Sequence, residues 1–195
     1  MSDKRVVIDV DGCVADFTWG ISQVMHQLDP TYKPLHTFDQ PSWDFREAPN
    51  GLFLKAFATV PGDAFNFNRN LVPMISEPDA RRLARLAESQ EVYFATSRPG
   101  GTEALRGTKD FLRNKLGIGD PNVILTARKG DFCAAVKATH FIDDKAGNAT
   151  FAKYHSPDTQ VFLLSAPYNQ FDQSVLGTKV KRILSFTEFL EAVDV

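Results

Sequence analysis

Short apolar runs alternate with helical patterns along most of this chain, and that alternation limits the fold more than any other feature. "RVVIDV" at 5–10, "EVYFAT" at 91–96, "NVILT" at 122–126, "THFID" at 139–143 and "TQVFLLS" at 159–165 read as buried strands. Between or beside them, "ADFTWGISQVMHQL", "SEPDARRLARLAES", "GTEALRGTKDFLRNKLG", "GDFCAAVKA" and "SFTEFLEAV" have helical spacing. Ser76 and Ser185 are N-cap candidates, and Gly117 is a stop signal. Strands rich in Val, Ile, Leu and Phe that alternate with helices predict an α/β fold, a doubly wound parallel sheet covered on both faces. The 195 residues suffice for one such domain with a modest insertion.

One stretch breaks the rhythm. Residues 29–73 contain no clear strand but are dense in proline and aromatics, including Phe38, Trp43, Phe45, Phe53 and Phe57. A structureless loop of that length is rare in a compact domain, so a small helical insertion is expected there. Most of its rings should form a core of its own.

In a parallel sheet, ligands collect beyond the carboxyl ends of the strands. Those ends deliver, in order, Asp9 with Asp11, then Thr96 with Ser97, then Arg128 with Lys129, then Asp143 with Asp144. Asp9 and Asp11, two apart on an extended chain, are expected to project to one side. Carboxylates gathered at one rim repel unless a cation joins them, and an all-oxygen set favours Mg²⁺. Lys129 and the Thr96 hydroxyl suit the oxygens of a phosphoryl group. Ser97 and Arg98 are candidates to share that role.

The stretches "DVDGCVAD", "ATSR", "ARKG" and "FIDDK" resemble the four motifs of the haloacid dehalogenase superfamily, whose members are mostly phosphatases. "DGCVADF", "SWDF" and "APYNQ" resemble more narrowly the 5'(3')-deoxyribonucleotidases. The resemblance implies a Rossmann-like core over residues 1–17 and 74–195, with a helical cap over 18–73 inserted after the first strand. It implies Asp9 as nucleophile, through an aspartyl-phosphate, and Asp11 as general acid and base. Thr96 and Lys129 then hold the phosphate. Asp9, the Asp11 backbone carbonyl and Asp143 hold Mg²⁺, with Asp144 joining directly or through water. Phe17 and Trp43 fall where a nucleotidase places rings around a base. The expected substrate is a small phosphate ester, a deoxynucleoside monophosphate. The superfamily often dimerises, so a homodimer is a further expectation.

Other classes fit less well. A net charge of -2 gives no case for duplex nucleic acid or an anionic membrane, and little for a phosphatase acting on polynucleotide 3' ends. A phospho-accepting receiver domain combines similar residues, but its acceptor follows an internal strand and it has no aromatic cap. A binding module without activity is disfavoured by the presence of both Asp9 and Asp11. Two cysteines, Cys13 and Cys133, lack metal-ligand spacing and suit a reducing cytoplasm. With no apolar leader and no run near ~18 apolar residues, a cytoplasmic protein is expected.

Overall fold

The computed structural model describes residues 4–193, so the outermost ends of the expected core domain, 1–3 and 194–195, lie outside the described residues. Six parallel strands form one sheet: β1 (Arg5–Asp9), β2 (Glu91–Thr96), β3 (Asn122–Leu125), β4 (His140–Asp143), β5 (Gln160–Leu164) and β6 (Lys181–Ile183). Their order is β3-β2-β1-β4-β5-β6, which places β1 centrally between β2 and β4. Strands are added outward from β1 in opposite directions, β2 and β3 on one side and β4, β5 and β6 on the other, so the loops after β1, β2 and β4 open a crevice at one rim.

Strand periodicity decides which residues share a face. On one side Val6, Ile8, Phe94, Ile142 and Phe162 pack under α4 (Glu77–Ser89), α5 (Gly101–Leu116) and α8 (Phe186–Ala192). On the other side Val7, Ala95, Phe141, Val161 and Leu163 pack under α6 (Lys129–Val136) and α7 (Ala146–His155). Asp9 continues the row of Val7, and Asp143 that of Phe141, so both acids lie on the α6 side at the end of the sheet.

The expected caps are present. Ser76 Oγ accepts from the Asp79 N–H at 3.2 Å, and Ser185 Oγ from the Glu188 N–H at 3.2 Å. Gly117 ends α5 at φ +72°, a left-handed turn that glycine adopts without a Cβ clash.

Two elements depart from the sequence reading. The run "KVKR" at 179–182, absent from the strand pattern, leads into β6: Ile183 is fully buried, and Arg182 donates to Asn169 Oδ1 at 3.0 Å. A three-residue edge strand carrying two cations has little hydrophobic signature of its own. Helix α7 was also absent from the pattern. Its buried face is alanine (Ala146, Ala149, Ala152), which permits close approach to α6 but leaves little apolar periodicity. A Cβ on Gly130 of α6 would come within 3.0 Å of the Ala152 backbone.

Between β1 and α4 the chain is helical, as expected for the cap. It comprises α1 (Phe17–Leu28), α2 (Leu52–Thr59), α3 (Ala64–Arg69) and short 3₁₀ turns. Ile21, Met25, Phe45, Leu52, Ala56 and Val60 form a small core there. Asp16 caps α1 by accepting from the Trp19 N–H at 2.8 Å, and its carboxylate also takes the Thr37 hydroxyl at 2.9 Å. One side chain thereby starts a helix and pins the loop that leads to Trp43. Helix α3 packs on α5 at Gly107, where a Cβ would meet the Phe65 carbonyl at 2.4 Å.

Candidate active site

The acids on the α6 side meet a cation at once. Lys129, the first residue of α6, is almost fully buried, and its Nζ lies 2.6 Å from Asp9 Oδ2 and 2.9 Å from Asp143 Oδ2. Burial works against the charge on this ammonium, but Asp143 and Asp9 outweigh it and hold its pKa above the usual lysine range. Asp9 shifts upward. Its burial is the largest cause, Asp143 adds to it, and Lys129 offsets only part. Burial and the neighbouring carboxylates thus both act against the charge on Asp9.

Asp143 and Asp144, adjacent in sequence, have different surroundings. Asp143, expected as the direct metal ligand, has both oxygens engaged. Oδ2 takes Lys129, Oδ1 takes the Lys145 N–H at 2.8 Å, and Asn148 Nδ2 reaches both oxygens at 3.1 and 3.2 Å. Asp144 is also fully buried; its Oδ2 accepts from the Tyr168 hydroxyl, while its Oδ1 has no hydrogen-bond partner. Burial first, then the neighbouring Asp143, pushes the Asp144 carboxyl up to about 7.

Ligand atoms of Asp9, Cys13 and Asp144 lie within 4.8 Å of one another. An orphaned buried oxygen beside a second carboxylate fits a hard cation. The Cys13 thiol does not fit one, because burial and then Asp144 push its pKa well up and keep it protonated. Gly12 makes the cluster possible. It turns the chain at φ +74°, and a Cβ there would sit 2.0 Å from Asp144 Oδ2.

Strand β1 ends at Asp9, and Asp11 lies just beyond it, before the turn at Gly12, bordering the same cavity as Asp9 and reaching the end of β2. There the Asp11 carboxylate accepts from Thr96 Oγ1 at 2.9 Å and from Arg98, whose Nε is 2.9 Å from each oxygen and whose Nη2 also bonds Oδ1. Thr96 and Arg98, expected to face a phosphate, are thus bound to Asp11 in this structure. Ser97 is exposed and borders the same cavity.

That cavity encloses about 410 Å³, within the ~300–1,000 Å³ usual for small-molecule sites. Asp9, Asp11, Lys129 and Asp144 line its floor, and Phe17, Trp43 and Phe57 line the cap side. Trp43 is 45% exposed and packs edge-on to Tyr168 at 5.2 Å, with Lys145 Nζ 5.3 Å from its ring centre. Phe17 packs edge-on to Phe57 and Phe67 at 6.3 and 5.6 Å, so it serves the cap's packing as well as the cavity wall. The sequence reading missed Tyr168, Asn148 and Asn169 as site residues. Asn169 Nδ2 donates to the Asp144 carbonyl at 2.6 Å. The signal for two of them was the stretch "APYNQ"; Asn148 had none.

No protein-family model matches the sequence, and comparison with curated proteins finds no match. Solved structures do match. A HAD family hydrolase from Deinococcus radiodurans, with bound phosphate and sodium, superposes with a TM-score of 0.61 at 13% identity, covering 98% of this chain and 95% of that one. A predicted phosphoglycolate phosphatase from Haemophilus somnus gives 0.55 at 14% identity, over 100% of this chain and 99% of that one. A defluorinating L-2-haloacid dehalogenase gives 0.57 at 11% identity, over 99% and 96%. None of the described helices is long and apolar enough to cross a membrane. At such identities the likeness speaks for architecture, and the architecture of this chain is the α/β fold of the haloacid dehalogenase-like hydrolases.

Proposed function

We propose that this protein is a Mg²⁺-dependent phosphomonoesterase that hydrolyses small phosphate esters, with deoxynucleoside monophosphates as the favoured class. The observation that carries this reading is the floor of one cavity, where Asp9, Lys129, Asp144 and Asp11 meet beneath a roof of cap aromatics. Phosphate bound to the Deinococcus neighbour supports the same chemistry.

Asp9 attacks phosphorus, the bond to the ester oxygen breaks, and an aspartyl-phosphate forms. Asp11 gives its proton to the departing oxygen, then takes one from the water that cleaves the acyl-phosphate. Lys129 holds Asp9 in place and faces the incoming charge. Asp9, Asp144 and the Asp11 backbone carbonyl would hold Mg²⁺, and Asp143 keeps Lys129 between the acids. When bound, Mg²⁺ supplies the positive charge that crowded carboxylates and phosphoryl oxygens both require.

A screen of phosphate release across ribo- and deoxynucleoside monophosphates, an aryl phosphate and a 3'-phosphorylated oligonucleotide tests this reading. Deoxynucleoside monophosphates should turn over fastest, and only with Mg²⁺. Release from none of them refutes the proposal.

Trp43 borders the cavity with an exposed ring, so Trp43→Ala should raise KM for nucleotides by roughly 5-fold or more, the loss expected for one stacked base. KM for a small aryl phosphate should move little. Equal effects on both would make Trp43 a packing residue.

The raised Asp144 carboxyl sets a pH dependence. A folded-state pKa above the unfolded one gives stability that is complete below the unfolded pKa and fades as pH rises through about 7. Metal-free protein should therefore lose thermal stability between about pH 5 and about pH 8. Mg²⁺ needs ionised carboxylates, so it should raise Tm more near the upper end of that range than near the lower. A Tm increment that does not vary with pH would contradict this assignment.

A further inference from the structure

Arg98 and Thr96 together hold the Asp11 carboxylate. Nε donates to both carboxylate oxygens at 2.9 Å, Nη2 donates to Oδ1, and the Thr96 hydroxyl takes Oδ2 at 2.9 Å. Three donors make four contacts with one carboxylate, so both of its oxygens are engaged on Arg98 and Thr96. The guanidinium is itself fixed from behind. Nη1 donates at 2.9 Å to Thr108 Oγ1 on α5, and that hydroxyl donates on to the Ala104 carbonyl at 2.8 Å. The Arg98 side chain is 2% exposed, whereas that of Asp11 is 19% exposed. The arginine is thus the anchored partner, and the aspartate is the one with room to leave. Both border the cavity that Asp9 and Lys129 floor.

From this juxtaposition we infer that Arg98 is a substrate-released latch on Asp11. An arriving phosphate dianion offers the guanidinium the same bidentate match as a carboxylate, with more charge. It takes the fork from Asp11, and the freed carboxylate turns to the ester oxygen. Arg98 is in this sense a positioning residue for Asp11, and the general acid and base enters the reaction only once a phosphoryl group is bound. Water alone cannot displace the latch, so the ion pair also keeps Asp11 idle between turnovers. The inference rests on the phosphoryl reading of the site and adds an order of events to it.

Equilibrium binding of inorganic phosphate tests the latch without requiring turnover. In Mg²⁺-containing buffer, calorimetric titration compares the native chain with Asp11→Asn, Arg98→Met and the double variant. An amide competes poorly for the fork, so Asp11→Asn should bind phosphate roughly 5-fold or more tightly than the native chain. Arg98→Met should bind weakly, and in its background Asp11→Asn should confer no gain, because the two residues form one unit. Arg98→Lys keeps the buried charge in case the methionine variant does not fold. It should recover only part of the affinity, since an ammonium lacks the fork. Phosphate binding by the native chain with no gain in Asp11→Asn overturns the latch and leaves the phosphoryl site standing. A gain of the same size in the Arg98→Met or Arg98→Lys background also overturns it, as it would reflect only a removed negative charge. No phosphate binding by any of these proteins overturns the phosphoryl reading, and the latch with it.

Discussion

Asp9→Asn should abolish phosphate release, by on the order of 10³-fold or more, while the fold survives. The loss follows from the amide's inability to form the acyl-phosphate. Survival follows from the electrostatics. Asp9 is buried beside Asp143 and Asp144, and its upward shift means that the folded protein disfavours its charge. A neutral isostere removes that repulsion, although it also weakens the 2.6 Å contact with Lys129. The metal-free variant should therefore melt at or above the native temperature, and added Mg²⁺ should shift it far less than it shifts the native chain. Normal turnover in the variant would remove Asp9 as nucleophile. A large drop in melting temperature would show that the carboxylate is mainly a structural ion-pair partner.

Lys129→Met should have the largest effect on stability. The ammonium bridges two buried carboxylates, and a third, Asp144, lies close by. Methionine matches the volume of the stem and leaves those charges without a protein cation. Breaking a buried pair from one side typically costs about 3–5 kcal/mol. Denaturant unfolding in the absence of divalent metal should register a loss of that order. Mg²⁺ should restore part of it, because it supplies charge to the same oxygens, whereas phosphate release should stay strongly impaired. A loss below roughly 1 kcal/mol, the level of an exposed pair, would show that the three acids do not depend on Lys129.

How far the site could be read from the chain depends on where each residue stands relative to a strand. Asp9 and Asp143 stand on strands whose apolar neighbours alternate, so the side they occupy follows from parity with Val7 and Phe141. Lys129, read from the sequence as a cation for phosphate oxygens, opens the helix that covers that side, and its contacts with Asp9 and Asp143 came only from the structure. Parity stops where the strand stops. Parity places Asp9 and Asp11 at one cavity, but it does not give the partners of Asp11, which are Thr96 and Arg98. The surroundings of Asp143 and Asp144 lie beyond parity for a similar reason. Which carboxylate keeps an open oxygen is decided by Asn148, the Lys145 N–H and Tyr168, side groups brought in by α7 and by the loop after β5.

The amino-acid order by itself determined the layered α/β architecture, the helical insertion after the first strand and the set of polar residues at the sheet's carboxyl rim, because apolar period and capping chemistry act over a few neighbouring residues. Only the tertiary structure decided that Arg98 and Thr96 hold Asp11, that Asp144 rather than Asp143 keeps an unpartnered oxygen, and that Tyr168 joins the metal-capable acids to the cap's Trp43. Those pairings join residues 24 to 125 positions apart, over distances at which no local spacing rule operates, and they form only where packing leaves a donor facing an acceptor.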